Sequence, residues 1–156
     1  MTDESTSPLG RQQVDEALDD HRRCMQSVLE LETCLDHHPD REGKWLDEIR
    51  GCLPKVAATL REHFVDEEAG PLFARVPVRH PRLAARLKVL KDEHVRMGEA
   101  CERALARLEQ LHDPEVYELR ELNAQLQLLV ATIRRHEAQE NEILLEAMCD
   151  EVGVGD

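Results

Sequence analysis
Apolar residues recur along most of the chain in steps of three and four, the period of helices that bury one face. From about Leu9 to Leu35 the stripe is Val14, Leu18, Met25, Val28 and Leu35. From Lys44 to Ala69 it is Ile49, Leu53, Val56, Leu60 and Phe64. A third segment opens at Pro81, a residue suited to a first helical position, and carries Leu83, Leu87, Leu90, Met97, Leu105 and Leu108. The fourth, with Asp113 as the expected N-cap and Pro114 after it, carries Leu119, Leu122, Leu126, Leu129, Ile133 and Leu144. Breaks at His38-Pro39-Asp40, Gly70-Pro71, Pro77, His80-Pro81 and His112-Asp113-Pro114 separate the four. Short connections make neighbours antiparallel, so the pattern predicts an all-α, up-down-up-down four-helix bundle over residues 11–150. Residues 1–10 read as a polar tail and residues 151–156 as a frayed end. Pro54 lies inside the second segment and predicts a kink there, or a short separate helix over Lys44 to Cys52.

Composition narrows what such a bundle does. A formal charge of −13, with no cluster of Lys and Arg, excludes a nucleic-acid binder. With 3% aromatic residues and 7 glycines, the chain is poor material for a sheet. No apolar run reaches membrane-spanning length, because Gln127 and Thr132 interrupt the stretch from Leu126 to Ile133. Asp3 and Glu4 stand where a signal peptide carries positive charge. Cys24, Cys34, Cys52, Cys101 and Cys149 form no C-x-x-C pair, which favours reduced, mostly buried thiols in a cytoplasmic setting.

The eight histidines divide by register. His37, His38, His80 and His112 fall at breaks. His21, His63, His94 and His136 continue the four apolar stripes, one per helix. Glu67 and Glu140 each follow a core histidine by four residues and share its face. A core-facing carboxylate is costly unless a positive charge meets it, and a metal ion supplies one. The spacing is duplicated: His21 to His63 and His94 to His136 both span 42 residues, and the halves superpose at an offset of 73. The chain thus holds H…H-x-x-x-E twice, which predicts a pseudo-symmetric site of four imidazoles and two carboxylates. These ligand types suit iron, manganese or zinc. Glu62, Asp66, Glu68, Glu93 and Glu137 fall off the stripe and read as a solvated acidic face. Tyr117 is too far along its helix to serve the site, while Phe64 and Phe73 are placed to wall it.

From Val14 to Ala147 the pattern resembles the hemerythrin-like family, the HHE cation-binding domain. His63-Phe64-Val65-Asp66-Glu67-Glu68 with Leu72-Phe73, and His136 to Glu140 with Asn141-Glu142-Ile143-Leu144, carry it most strongly. The resemblance implies a non-haem di-iron centre, so two iron ions rather than manganese or zinc. Its ligands would be His21, His63, His94 and His136, with Glu67 and Glu140 bridging. Oxygen-carrying members have a fifth histidine one turn after the one on the third helix; Gly98 stands there, and Met25 one turn after His21. The chain is therefore similar to the four-histidine variant found in bacterial iron-cluster repair proteins and some iron-sensing domains. The absent side chain at Gly98 leaves either an open coordination position or room for close helix packing. Only Met1–Gly10 precedes the first segment, which weighs against the repair proteins with an extra N-terminal domain. Binding or sensing of a small ligand such as oxygen or nitric oxide, or of iron itself, is the expected function. The alternative is an enzyme acting on peroxide or nitric oxide, or an iron donor for cluster repair. The sequence names no protein partner.

Overall fold
The computed structural model describes residues 10–40 and 42–153, and they contain no strand. Residues 1–9 of the expected tail (residues 1–10), Arg41, the last three residues and the side chains of Val14 and Ala17 lie outside that description. Four long helices carry the fold: α1 (Arg11–Leu35), α2 (Lys44–Ala69), α5 (Ala84–Gln110) and α6 (Val116–Gly153). Between α2 and α5 the chain makes two one-turn helices, α3 (Pro71–Ala74) and α4 (Val76–Arg79), and a single 3₁₀ turn at Pro81–Leu83. The expected fourth-segment fraying does not begin at Glu151, because α6 continues to Gly153.

Contacts between helices run in a closed ring, α1–α2–α5–α6 and back to α1. Each adjacent pair is antiparallel. Across α1 and α2, Cys34 meets Cys52 while His21 meets Glu67. Across α2 and α5, Arg61 meets Glu102 while Glu68 meets His94. Across α5 and α6, Arg86 meets Glu146 while Arg107 meets Glu118. Across α6 and α1, Glu32 meets Arg134 while His21 meets Asn141. This is the up-down-up-down bundle that the short connections require.

Local chemistry sets the helix ends. Before α2, the Asp40 carboxylate accepts from the Lys44 and Trp45 backbone N–H groups, and Gly43 takes the left-handed conformation (φ 81°) that a side chain would resist. Asp113 does not cap α6. It sits at φ 48°, a conformation Asp tolerates, and the cap falls two residues later. There the Glu118 carboxylate reaches back to the Glu115 N–H at 2.9 Å, half of a capping box.

Pro54 breaks nothing: α2 is one helix from Lys44 to Ala69, not a separate Lys44–Cys52 helix followed by another. The ring faces solvent, so the carbonyl left without a partner can be hydrated. Interior proline costs about 3 kcal/mol. On either side Ile49, Leu53 and Val56 are fully buried, at roughly 1.5–3 kcal/mol each. Packing wins.

The stripes meet in two apolar clusters. One runs from Trp45 and Leu111 to Ile133 and Met97; the other joins Leu72 and Val76 to Leu87, Leu90, Ile143 and Leu144. His94 lies between Leu90 and Met97, and His136 and Glu140 lie between Ile133 and Ile143. A buried polar layer therefore separates the clusters, with α3 and α4 closing the second. Gly51 and Gly98 sit inside helices where an added Cβ would meet no atom within 4 Å. Gly51→Ala and Gly98→Ala should each raise stability by about 0.5–1 kcal/mol in urea unfolding, by removing backbone freedom from the unfolded chain.

Candidate metal centre
The four stripe histidines and both stripe glutamates converge in the polar layer. All six are nearly inaccessible: His136 and Glu140 are 0% exposed, and Glu67, the most exposed of them, 8%. Their ligand atoms form two groups. His21, His63, Glu67, Glu137 and Glu140 make one; Glu67, His94, His136 and Glu140 make the other. Within each group the atoms lie within 4.8 Å of one another, and Glu67 and Glu140 belong to both.

The inward atoms are the Nε2 nitrogens. His21 Nε2 lies 2.7 Å from Glu67 and 3.4 Å from Glu140. His63 Nε2 is 3.3 Å from Glu67, His94 Nε2 is 3.2 Å from Glu140, and His136 Nε2 is 2.6 Å from Glu140. Several of these approaches are not aligned as hydrogen bonds. His63 Nε2, His136 Nε2, Glu67 Oε2, Glu140 Oε2 and both Glu137 oxygens are buried without a hydrogen-bond partner. Orphaned groups are rare in protein interiors and costly, whereas a cation between them would satisfy donor-free nitrogens and oxygens together.

Electrostatics point the same way. Burial opposes ionisation of Glu67, but hydrogen bonds from His21 and His94 outweigh it and hold its carboxyl below the ordinary range. Glu140 is pushed up, by burial first and then by the negative charge of Glu67 beside it. Burial lowers His94, yet its bonds to Glu140, Glu67 and Glu68 prevail and raise it to about 9. Two carboxyls this close cannot both be ionised without positive charge between them.

The outward Nδ1 nitrogens reveal a second layer of the repeat. His136 Nδ1–H donates to Glu93 at 2.7 Å, and His63 Nδ1 lies 3.8 Å from Asp20. His21 Nδ1–H donates to Asn141 at 2.6 Å, and His94 Nδ1–H to Glu68 at 3.1 Å. Asp20 and Glu93 are 73 residues apart, as are Glu68 and Asn141, the same offset that relates the histidines. Three of the core imidazoles are thus oriented by a hydrogen bond to a side chain of a neighbouring helix, the arrangement that fixes ring direction in metal sites, and Asp20 stands in the matching place beside His63 without closing a bond.

Three carboxylates read as solvated are corrected here. Glu68 and Glu93 hold histidines in place. Glu137 is 3% exposed, with its oxygens 3.2 Å from His21 Nδ1 and from His63 Nε2. Glu137 follows Ile133 by four residues and precedes Leu144 by seven, a signal that a wider stripe would have included. Glu62 and Asp66 do face solvent. Phe64 stacks on His94 with ring centroids 4.1 Å apart, and Phe73 meets the same ring at 5.1 Å. His37, His38 and His112 are exposed, His80 is half-buried beside Asp150 and Glu151, and Tyr117 is exposed. None of these joins the polar layer.

A family model, the hemerythrin HHE cation-binding domain, matches residues 13–148. The chain belongs to that family, and its bundle is a cation-binding domain. No curated protein and no solved structure matches it. Among the described residues, no helix is long and apolar enough to cross a membrane.

Proposed function
We propose that the domain holds two iron ions side by side and binds a small diatomic ligand, oxygen or nitric oxide, to carry or report it. The observation that carries the reading is the pair of ligand groups that share Glu67 and Glu140. His21 and His63 would serve one ion, His94 and His136 the other, with both glutamates spanning the two. Glu137 adds a third carboxylate on the His21–His63 side. When bound, iron supplies redox-active positions for a diatomic ligand, and imidazole with carboxylate ligation suits it as it also suits manganese or zinc.

The protein's own part is orientation. Glu68, Glu93 and Asn141 fix three of the imidazoles, and apolar clusters flank the polar layer on either side. Gly98 is not a close-packing glycine, since nothing lies within 4 Å of the position its Cβ would take. It lines a cavity of about 630 Å³ with Leu60, Phe64, Val65, His94 and Cys101. Charged Arg61, Glu68, Glu99, Glu102 and Arg103 share the lining with these apolar side chains, and a small uncharged molecule reaching His94 through it suits the binding reading and the enzymatic alternative alike.

Gly98→Leu should fill this approach. Nitric oxide binding to the reduced, iron-loaded protein, followed by stopped-flow absorbance, is expected to slow by about tenfold or more, an added barrier of about 1.4 kcal/mol. Iron content should not change. Unaltered kinetics in a variant with full iron would exclude this cavity as the route. For the wild type, a visible band that forms with oxygen and reverses under vacuum supports binding. Irreversible oxidation, or turnover of peroxide, would favour the enzyme.

A further inference from the structure
Away from the polar layer, the fold brings two cysteines together that the sequence keeps apart. Cys34, in the last turn of α1, and Cys52, in the third turn of α2, have their sulfurs 2.9 Å apart. Cys34 lies 13 residues beyond His21, roughly 20 Å along α1, so the pair is remote from the candidate metal ligands. Both are free thiols and half-buried, within reach of a small oxidant but enclosed by the α1–α2 hairpin. Cys24 and Cys101, by contrast, are buried, and Cys149 is exposed. Closing the gap to the ~2.05 Å of a disulfide takes under about 1 Å of approach, within the reach of side-chain rotation.

We propose that Cys34 and Cys52 are a redox-active dithiol that a hydroperoxide converts to a disulfide clamping α1 to α2. Either sulfur can donate its S–H to the other. One of them, as the thiolate, attacks the peroxide: the S–O bond forms, the O–O bond breaks, and the departing oxygen takes a proton to leave as water or alcohol. The other sulfur then gives up its proton and attacks the resulting sulfenic acid. The S–S bond forms, the S–O bond breaks, and hydroxide leaves as water. Two thiols lose two protons and two electrons, and the peroxide gains both. The new bond closes a loop of 18 residues across the α1–α2 connection, which restricts the unfolded chain more than the folded one.

The test is a hydrogen peroxide titration of the intact protein as purified, quenched by alkylation and digested without reductant. A Cys34–Cys52 linked peptide is expected, with two fewer alkylatable thiols per chain. The melting temperature should rise by about 6–12 °C and fall back with dithiothreitol. Cys34→Ser and Cys52→Ser should each abolish the linked peptide and the rise. The proposal is overturned if Cys34 and Cys52 stay alkylatable at doses that oxidise exposed Cys149, or if the rise persists in Cys52→Ser. The wild-type peptide map decides the matter even if a variant folds poorly.

Discussion

Glu67→Ala and Glu140→Ala are each expected to empty most of the metal centre, whereas His63→Ala should cost about half of its metal. The difference follows from the sharing. Glu140 reaches His136, His94 and His21 at 2.6, 3.2 and 3.4 Å, so its carboxylate stands in both ligand groups. Glu67 does the same through His21, His63 and His94 at 2.7, 3.3 and 3.5 Å. His63 contributes to one group only. Removing an outer partner such as Glu93 should weaken affinity by about 10–100-fold, the usual effect of losing a residue that orients a ligand. Loss of a shared carboxylate should exceed that. Elemental analysis after anaerobic reconstitution measures the ranking, and far-UV circular dichroism checks that each variant is helical. Glu67→Gln and Glu140→Gln keep the side-chain volume, so metal loss in them is a matter of ligation and not of a cavity. Full occupancy in both glutamate variants would refute the ligand assignment.

Chelation should destabilise the fold by a comparable margin. A ligand that binds only the folded state stabilises it by about 4 kcal/mol when present at 1,000 times its dissociation constant. For a chain of 156 residues that corresponds to a fall in melting temperature of roughly 8–16 °C when the metal is withdrawn. The polar layer is where the penalty arises: Glu137 and Glu140 are 3% and 0% exposed, and both Glu137 oxygens and Glu140 Oε2 are buried without a hydrogen-bond partner. Anaerobic calorimetry with and without a chelator gives the shift. In Glu140→Ala the same chelator should move the melting temperature little, because the variant has little metal to lose. An equal shift in wild type and variant would show that the chelator acts elsewhere.

Much of this was legible in the sequence, and the parts that were not share a physical cause. Each helix has one apolar stripe, and three-and-four periodicity locates it; the histidines at His21, His63, His94 and His136 then follow from register. Glu137 did not follow, because the buried face of α6 widens where the helix packs against both α1 and α5, so neighbours 136 and 137 are both inside. Periodicity along one helix admits a single line and misses the second. Glu93 and Glu68 do lie off the stripe, yet each orients a histidine on an adjacent helix, a relation that exists only once the ring closes. The Cys34–Cys52 contact has the same origin, since an antiparallel turn joins what 18 residues separate. Pro54 shows the reverse case. Local propensity argued for a kink or a separate helix, and with Ile49, Leu53 and Val56 buried the chain stays one helix from Lys44 to Ala69.

The central claim is a centre of two metals that share two carboxylates. Protein purified anaerobically, reconstituted with ferrous iron, freed of excess and analysed for iron against protein concentration tests it most directly. Two irons per chain are predicted, falling well below one in Glu140→Gln. Fewer than about one iron per chain in the reconstituted wild type would contradict it.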